Sequence, residues 1–413
     1  MIHFSEFTLS NGLKVIHHRD ESTPLVVMNI LYKVGARNED PGKTGFAHLF
    51  EHLMFGGSVN IPEYDTPLQQ ASGENNAFTN NDITNYYLTL PAQNIETGFW
   101  LESDRMLSLA FSSESLEIQR SVVIEEFKQR YLNQPYGDVW LKLRPLAYKV
   151  HPYRWPTIGK EIKHIENASL NDVKAFFKNH YCPNNAIMCV AGNITLERVK
   201  ELSEKWFGPI PAQPIEIIEL PAEPPQQKER RETVSAKVPA DAIYMAFHCP
   251  GRRDPRYYAA DLLTDILSRG RSSRLLNSLV KEQKLFSEIG AYITGDADPG
   301  LIVIEGKVNQ GVSPEKAEMG VRAELTKLMT ELVSVGELNK VKTKAESTIV
   351  FGEMGILNKG MALCYATFLG NTNLVNEELA FYQNVSSTDI KKAAVDFLSE
   401  SNCSTLHYLT ERA

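Results

Sequence analysis

Residues 41 to 57 read PGKTGFAHLFEHLMFGG and set His48, Glu51 and His52 inside an apolar run. Pro41 and Gly42 punctuate the start and Gly56 and Gly57 the end. Between them Phe46, Leu49, Phe50, Leu53 and Met54 recur at helical spacing. Positions i, i+3 and i+4 share one face of a helix, so His48 and His52 can hold one cation while Glu51 points at the same spot. The bland alternative is two core histidines and a solvated glutamate. Burying two imidazoles and a carboxylate costs free energy unless a partner compensates them, which favours a metal-bearing helix that needs a third ligand.

Strands flank this helix. Residues 4 to 18 alternate around Asn11-Gly12, a strong hairpin signal, and residues 25 to 34 continue as a third apolar strand. Residues 62 to 72 read as a short helix closed by Gly73, and residues 76 to 90 as two strands around an Asn-Asn-Asp turn. Helical stretches follow from about Ala92 to Leu109 and from about Ser113 to Leu132, the second with a Ser-Ser-Glu start. The Pro-rich HPYRWPTIG at 151 to 159 leads into a helix near Leu170 to His180 and a buried strand, AIMCVAGNI.

With 413 residues, 43% hydrophobic and 23% charged, the chain is long enough for two domains with proper cores. Residues 208 to 228 are Pro-rich and lack a helical period, which predicts a first domain at 1–212 that holds the metal-bearing helix, an extended linker at 213–228 and a metal-free domain at 229–413. The halves read as a degenerate repeat of strand, glycine and helix. Laying Ala47 on Ala260 sets His48, Glu51 and His52 opposite Asp261, Thr264 and Asp265, so the second half keeps the helix without the metal pair. The expected fold is α+β, two similar domains each with an antiparallel sheet and helices on one face, forming a clam-like half chamber.

A net charge of -8 without a basic, aromatic-interleaved block argues against nucleic acid. Cys182, Cys189, Cys249, Cys364 and Cys403 are odd in number and never spaced as CxxC, so they suit small core positions in a reducing compartment. The start MIHFSEFTLSNG has no charged-then-apolar leader and no apolar run reaches membrane-spanning length, so a cytoplasmic location is expected.

A catalytic zinc site takes three protein ligands and leaves a position for water. The 113 to 132 stretch offers Glu125 and Glu126, and its apolar positions Leu116, Val122, Val123 and Phe127 give one buried stripe. At most one of the two glutamates points inward, and periodicity does not choose between them.

HLFEH is the HxxEH, or inverzincin, pattern, and the chain resembles the pitrilysin/insulinase zinc metallopeptidase family, in particular its short two-domain processing-peptidase-like subunits. NNAFTNNDITNYY, HPYRWPTIG and the Val-Ala-Gly-Asn at 190 to 193 carry the likeness over most of the first 210 residues; the second half shares it more weakly, through strand and helix order and SSRLLNSL. The resemblance implies that His48, His52 and Glu126 bind Zn2+ and that Glu51 is the general base. Glu126 is the second glutamate of the family's VV-x-x-E pattern. It also implies that a peptide substrate joins the sheet edge near Asn76, Ala77, Phe78 and Thr79. Where the family often has an assisting glutamate seven residues before the third ligand, Gln119 stands here, and an amide cannot supply a charge.

Active relatives carry an arginine and, seven residues later, a tyrosine that hold the substrate carbonyl. Val280 and Ser287 occupy those positions, and Tyr292 has Leu285 seven residues before it. The resemblance therefore implies an endopeptidase for oligopeptides or unfolded segments that works as the catalytic subunit of a heterodimer, with a metal-free homologous partner bringing the arginine and tyrosine. The alternatives are a homodimeric peptidase, or a non-catalytic structural or peptide-binding subunit of the same fold.

Overall fold

The structure is a computed structural model that describes residues 1–215 and 219–411. Residues 216–218 of the expected linker lie outside the described residues.

The chain opens with strands β1 (Ser5–Thr8), β2 (Lys14–Arg19) and β3 (Leu25–Tyr32). Helices α1 (Phe46–Leu53) and α2 (Asp65–Gln70) come next, then β4 (Glu74–Thr79) and β5 (Thr84–Pro91). Five helices follow: α3 (Ile95–Leu107), α4 (Ser113–Phe127), α5 (Val139–Ala147), α6 (Ile162–Glu166) and α7 (Leu170–His180). Ser112 caps α4 by accepting from the Ser115 N–H, as the Ser-Ser-Glu start predicts, and the last turns expected up to Leu132 widen into a π-helix over 128–132. Strand β6 (Ala186–Gly192) and α8 (Leu196–Trp206) end the first half. The second half runs β7 (Arg230–Ala236), β8 (Ala242–His248), α9 (Tyr257–Ser268), β9 (Phe286–Ile293) and β10 (Leu301–Val308), and then α10 (Pro314–Thr330), α11 (Val335–Gly352), α12 (Ile356–Leu369), α13 (Leu374–Asn384), α14 (Ser387–Phe397) and β11 (Cys403–Thr410).

The fold is α+β. One sheet has the order β1-β2-β6-β3-β5-β4 and the other β7-β11-β8-β10-β9. Leaving β1 aside, the two orders are the same when strands are counted along each half, so the repeat read from strand, glycine and helix is a repeat of topology. Neither sheet is wholly antiparallel. β2 runs parallel to β6 and β7 parallel to β11, because in each half the last strand returns after a long helical passage and inserts beside the first.

Helices cover both faces of each sheet, not one. In the first sheet Tyr32 and Tyr86 face α1 and α7, where Phe50 and Tyr181 stack with centroids 5.0 Å apart. The opposite face, which carries Val27 and Asn29, is covered by α12: Gly360 allows close approach to Val27, Asn29 and Cys189, and the Cys364 thiol lies 3.7 Å from the Asn29 and Ile187 carbonyls. In the second sheet Ile243, Met245, Phe247, Ile302 and Ile304 form a core with α9, α10 and α14. The other face, Tyr244, Ala246, Leu301 and Val303, packs on Val139, Leu143 and Ala147 of α5. Continuous apolar strands such as AIMCVAG in β6 require this double cover.

The domain boundaries expected at 212 and 229 therefore need correction. One compact unit comprises Met1–Lys128, Trp155–Leu220 and Phe351–Asn376; the other comprises Gln129–Arg154, Pro221–Val350 and Glu377–Ala413. Each half of the chain lends one helix, α5 or α12, to the sheet built by the other half. The linker is also less free than its composition suggests, since Glu223 accepts from the backbone N–H groups of Lys149, Val150 and His151 at 2.8, 2.8 and 3.0 Å.

Candidate metal centre

Helix α1 buries Phe46, Ala47, Leu49, Phe50 and Leu53, which leaves His48, Glu51 and His52 on its less buried side. Its start is fixed by two devices. Gly45 holds φ +88°, and a Cβ there would stand 2.7 Å from the Ile158 carbonyl oxygen, so the turn into the helix needs glycine. The carboxyl group of Glu39 then accepts from the first-turn N–H groups, Oε2 from Gly45 at 2.9 Å and Oε1 from Ala47 at 2.8 Å. Burial pushes the Glu39 carboxyl up to about 8 while these donors pull it down. At the other end the Tyr86 hydroxyl donates to the Phe50 carbonyl at 3.3 Å.

Glu126 reaches α1 from α4. Its Oε2 lies 3.4 Å from His48 Nε2 and 3.5 Å from His52 Nε2, and the two Nε2 atoms are 3.4 Å apart. Zinc bonds of about 2.0–2.2 Å at tetrahedral angles give ligand-to-ligand distances of about 3.3–3.6 Å. The triangle is thus one face of a zinc-sized tetrahedron, and the residues present fit the metal. It is the one His/Cys/Asp/Glu cluster of ligand geometry among the described residues. The side chains of His48, His52 and Glu126 are 12, 25 and 19% exposed, open enough for a reactant to arrive and buried enough to strengthen charge interactions.

The ambiguity between the adjacent glutamates resolves geometrically. Glu125 points outward and pairs with Lys128 at 2.6 Å. The buried stripe of α4 is Leu116, Val123 and Phe127; Val122, read as part of it, is 44% exposed. Gln119 is half-buried, two turns before Glu126 and so on the same side of α4.

Glu51 is half-buried beside Thr79. Burial pushes its carboxyl up; Thr79 and His52 pull it down, and Glu126 adds to the rise. Thr79 ends β4, the edge strand of the first sheet, which also holds Asn76, Ala77 and Phe78. The Ala77 N–H bonds the Asn76 side-chain oxygen at 2.8 Å instead of β5. Ala77 therefore presents its main chain to the free edge, and alternation puts Asn75 and Thr79 there too. The side chains of Asn76 and Phe78 are exposed.

The positions read as a missing substrate clamp lie in the second unit. Val280 packs partly buried against that unit's core, and the Ser287 hydroxyl donates to the Lys307 carbonyl at 3.2 Å. The Tyr292 hydroxyl donates to Glu305 at 3.4 Å.

Sequence reasoning missed Glu39, because an acid six residues before the glycine that opens a helix forms no local capping pattern. It missed Arg105 for a similar reason. This fully buried guanidinium pairs with Glu102 and lies 4.3 Å from the centroid of Tyr86, the ring that braces α1. In the loop HPYRWPTIG, Trp155 Nε1 donates to the Ala36 carbonyl at 2.9 Å and ties that loop to the segment entering α1.

Comparisons with known proteins agree with this architecture. Residues 14–156 match the family model described as insulinase (peptidase family M16), and residues 167–345 the model described as the peptidase M16 inactive domain. The zinc protease PqqE of Helicobacter pylori is 29% identical over 409 residues, covering 97% of this chain and 91% of that protein. A crystal structure of a protease from Helicobacter pylori superposes with a TM-score of 0.93 at 27% identity, covering 99% of this chain and 100% of that one. A probable mitochondrial-processing peptidase subunit beta of Schizosaccharomyces pombe is 26% identical over 312 residues, 71% of this chain and 67% of that protein. No helix among the described residues is long and apolar enough to cross a membrane. With both of its halves matched in order, the chain belongs to the insulinase, or M16, peptidase family.

Proposed function

We propose that this chain is a zinc-dependent endopeptidase acting on oligopeptides or unfolded segments. The observation that carries the reading is the triangle of His48, His52 and Glu126, with sides of 3.4 to 3.5 Å. Zinc bound there supplies Lewis acidity, which polarises a carbonyl and lowers the pKa of water. The rest of the work falls to the chain's own groups. The Glu51 carboxylate takes a proton from the attacking water as the new C–O bond forms, and returns it to the amine nitrogen as the C–N bond breaks. At the free edge of β4, Ala77 and Thr79 turn their main chain outward to an extended peptide, with little regard for its sequence, and the exposed side chains of Asn76 and Phe78 flank it. Because Thr79 lies beside Glu51, a peptide added to that edge passes the base.

The chain acts, in this reading, as the zinc-bearing subunit of a heterodimer. Val280 and Ser287 are engaged within the second unit, and neither side chain can donate as an arginine and a tyrosine do, so a metal-free homologue supplies the clamp. A cytoplasmic location fits the five cysteines, all buried and free.

The test is peptide hydrolysis by the zinc-loaded chain, alone and with a co-encoded paralogue, for wild type and Glu51→Gln. Loss of the base lowers kcat by about 10²–10⁴-fold with zinc content unchanged. Undiminished turnover by Glu51→Gln overturns the mechanism. Full activity of the isolated chain as a monomer or homodimer overturns the heterodimer.

A further inference from the structure

On the face of the second sheet that packs on α5, the helix covers Ala246, Leu301 and Val303 but stops short of the corner formed by β9 and β10. There Tyr136, Tyr244, Glu288, Gly290, Glu305 and Lys307 line a cavity of about 290 Å³. That is at the lower end of small-molecule pockets and suits a single side chain.

Strand register accounts for its shape. Tyr244, Glu305 and Gly290 form one row across β8, β10 and β9, so the Glu305 carboxylate stands between an aromatic ring and a residue with no side chain. A Cβ on Gly290 would meet nothing within 4 Å, so the floor is open. The wall is fixed. Tyr136 holds φ +61°, and its hydroxyl donates to the Ala240 carbonyl at 2.6 Å and accepts from the Ala240 N–H at 3.1 Å. A tyrosine kept at positive φ by two backbone hydrogen bonds is a pre-set surface.

The corner already shows which chemistry it accepts. Lys307 Nζ bonds Glu288 at 2.7 Å and lies 5.5 Å from the centroid of the Tyr136 ring, so carboxylate and aromatic face hold an ammonium together. Glu305 has only the Tyr292 hydroxyl, at 3.4 Å, and no cation within ion-pair distance among the described residues. Two carboxylates face one ammonium, and burial pushes the Glu305 carboxyl up.

We propose that this cavity binds the cationic side chain, lysine or arginine, of a peptide, with the cation paired to Glu305 against the rings of Tyr244 and Tyr136. That the cation is carried by a peptide rests on the peptidase reading; that the cavity takes a cation does not. The test uses the full chain carrying Glu51→Gln, which keeps the cavity. Fluorescence anisotropy compares labelled octapeptides that differ only in one arginine or norleucine, with spermidine as a free-cation competitor. The arginine peptide is expected to bind at least fivefold more tightly. Glu305→Gln, and separately Gly290→Val, which fills the floor, should reduce it to the norleucine level, with norleucine binding and the melting curve unchanged. Equal binding of the two peptides, or discrimination that survives Glu305→Gln, overturns the proposal. Glu305-dependent binding of spermidine with no peptide discrimination overturns the side-chain assignment in favour of a free polyamine. If wild type fails to hydrolyse peptides while the arginine preference persists and depends on Glu305, the cavity stands and the peptidase reading falls.

Discussion

Glu39 gives the sharpest physical test of how α1 is held. Its carboxyl is buried and moves from an ordinary 4.5 to about 8 on folding, burial outweighing the backbone donors. At about 1.36 kcal/mol per pH unit this is about 5 kcal/mol. The sign follows from proton counts. Below pH 4.5 both folded and unfolded chains are protonated there and stability is complete. Between 4.5 and 8 the unfolded chain releases the proton and the folded chain keeps it, so stability falls as pH rises, and levels off above 8. Glu39→Gln removes this slope. It also removes one of the two acceptors that serve Gly45 and Ala47, a pH-independent loss of about 1–3 kcal/mol. The diagnostic quantity is thus the difference between wild type and variant across pH, which cancels titrations elsewhere. Urea unfolding read by tryptophan fluorescence measures it, with Trp155 close to the affected segment. Wild type should lose about 5 kcal/mol relative to Glu39→Gln between pH 4.5 and 8.5. A flat difference over that range would refute the reasoning, because it would mean that the N–H groups keep Glu39 ionised as an ordinary cap.

Glu126→Gln should weaken zinc binding by at least about 100-fold, beyond what loss of a supporting residue costs, as read by competition with a chromophoric chelator; unchanged affinity would remove Glu126 from the site. Gly45→Ala should destabilise by more than about 2 kcal/mol, combining the positive φ penalty with the 2.7 Å approach to Ile158; a melting curve like that of wild type contradicts it. Glu223→Ala removes the acceptor of three N–H groups, of which the His151 bond is part-buried and the other two are exposed, so the loss should be about 1–3 kcal/mol in all. Burial raises the Glu223 carboxyl, but those donors prevail and hold it below its ordinary value, so its contribution is lost as pH falls through the folded pKa. The deficit of the variant should therefore shrink in acid, and a constant deficit would point to lost packing instead. All five thiols should react with a colorimetric disulfide reagent only after denaturation; rapid labelling of any one in the native protein would show that its burial is breached.

How much of this was legible in the sequence depended on the range of the forces involved. Helix α1, the hairpin at Asn11-Gly12 and the strand pair β4–β5 follow from local periodicity and turn chemistry; the hairpin and the strand pair formed where expected, and α1 starts at Phe46, after the Gly45 turn and not at Pro41-Gly42. Glu126 could not be separated from Glu125 by periodicity, since neighbouring positions on a helix lie only about 100° apart and Glu126 sits at the edge of the buried stripe. The resemblance points to Glu126, and its Oε2 stands 3.4 and 3.5 Å from the two histidine Nε2 atoms. The exchange of α5 and α12 was illegible for a different reason. A helix displays an apolar face in the same way whichever sheet it covers, and sequence proximity is a poor guide once a fold repeats. The mostly apolar, almost wholly buried strands β3, β6 and β8 did carry a signal, because a strand buried on both faces demands a second covering layer. Glu39 and Arg105 act through contacts that become neighbours only after the helices pack.

The repeat also bears on why the candidate metal centre lies in one unit and has no counterpart among the described residues of the other. The helices α1 and α9 follow the corresponding strand in the same sheet order, and with Ala47 laid on Ala260 in sequence the positions of His48 and His52 fall on Asp261 and Asp265. Those two acids are not waiting for a cation. Asp261 accepts from the Tyr382 hydroxyl at 2.5 Å, and Asp265 pairs with Arg269 one turn further along the same helix at 3.3 Å. Burial pushes both carboxyls up, Asp265 to about 6, so these groups resist the charge that a hard-metal site requires. On α1 the same face has no arginine one turn on; Phe55 and Gly56 stand three and four residues beyond His52, and the Glu126 carboxylate reaches the two histidines from α4. Moving the metal pair into the second unit would therefore take more than Asp261→His and Asp265→His. Arg269 would remain as a competing cation beside the site, and no carboxylate reaches α9 as Glu126 reaches α1 among the described clusters. The double variant should bind no second equivalent of zinc by metal analysis. Stoichiometric binding of a second ion would show that the helix pair alone suffices and that the third ligand is not what distinguishes the two units.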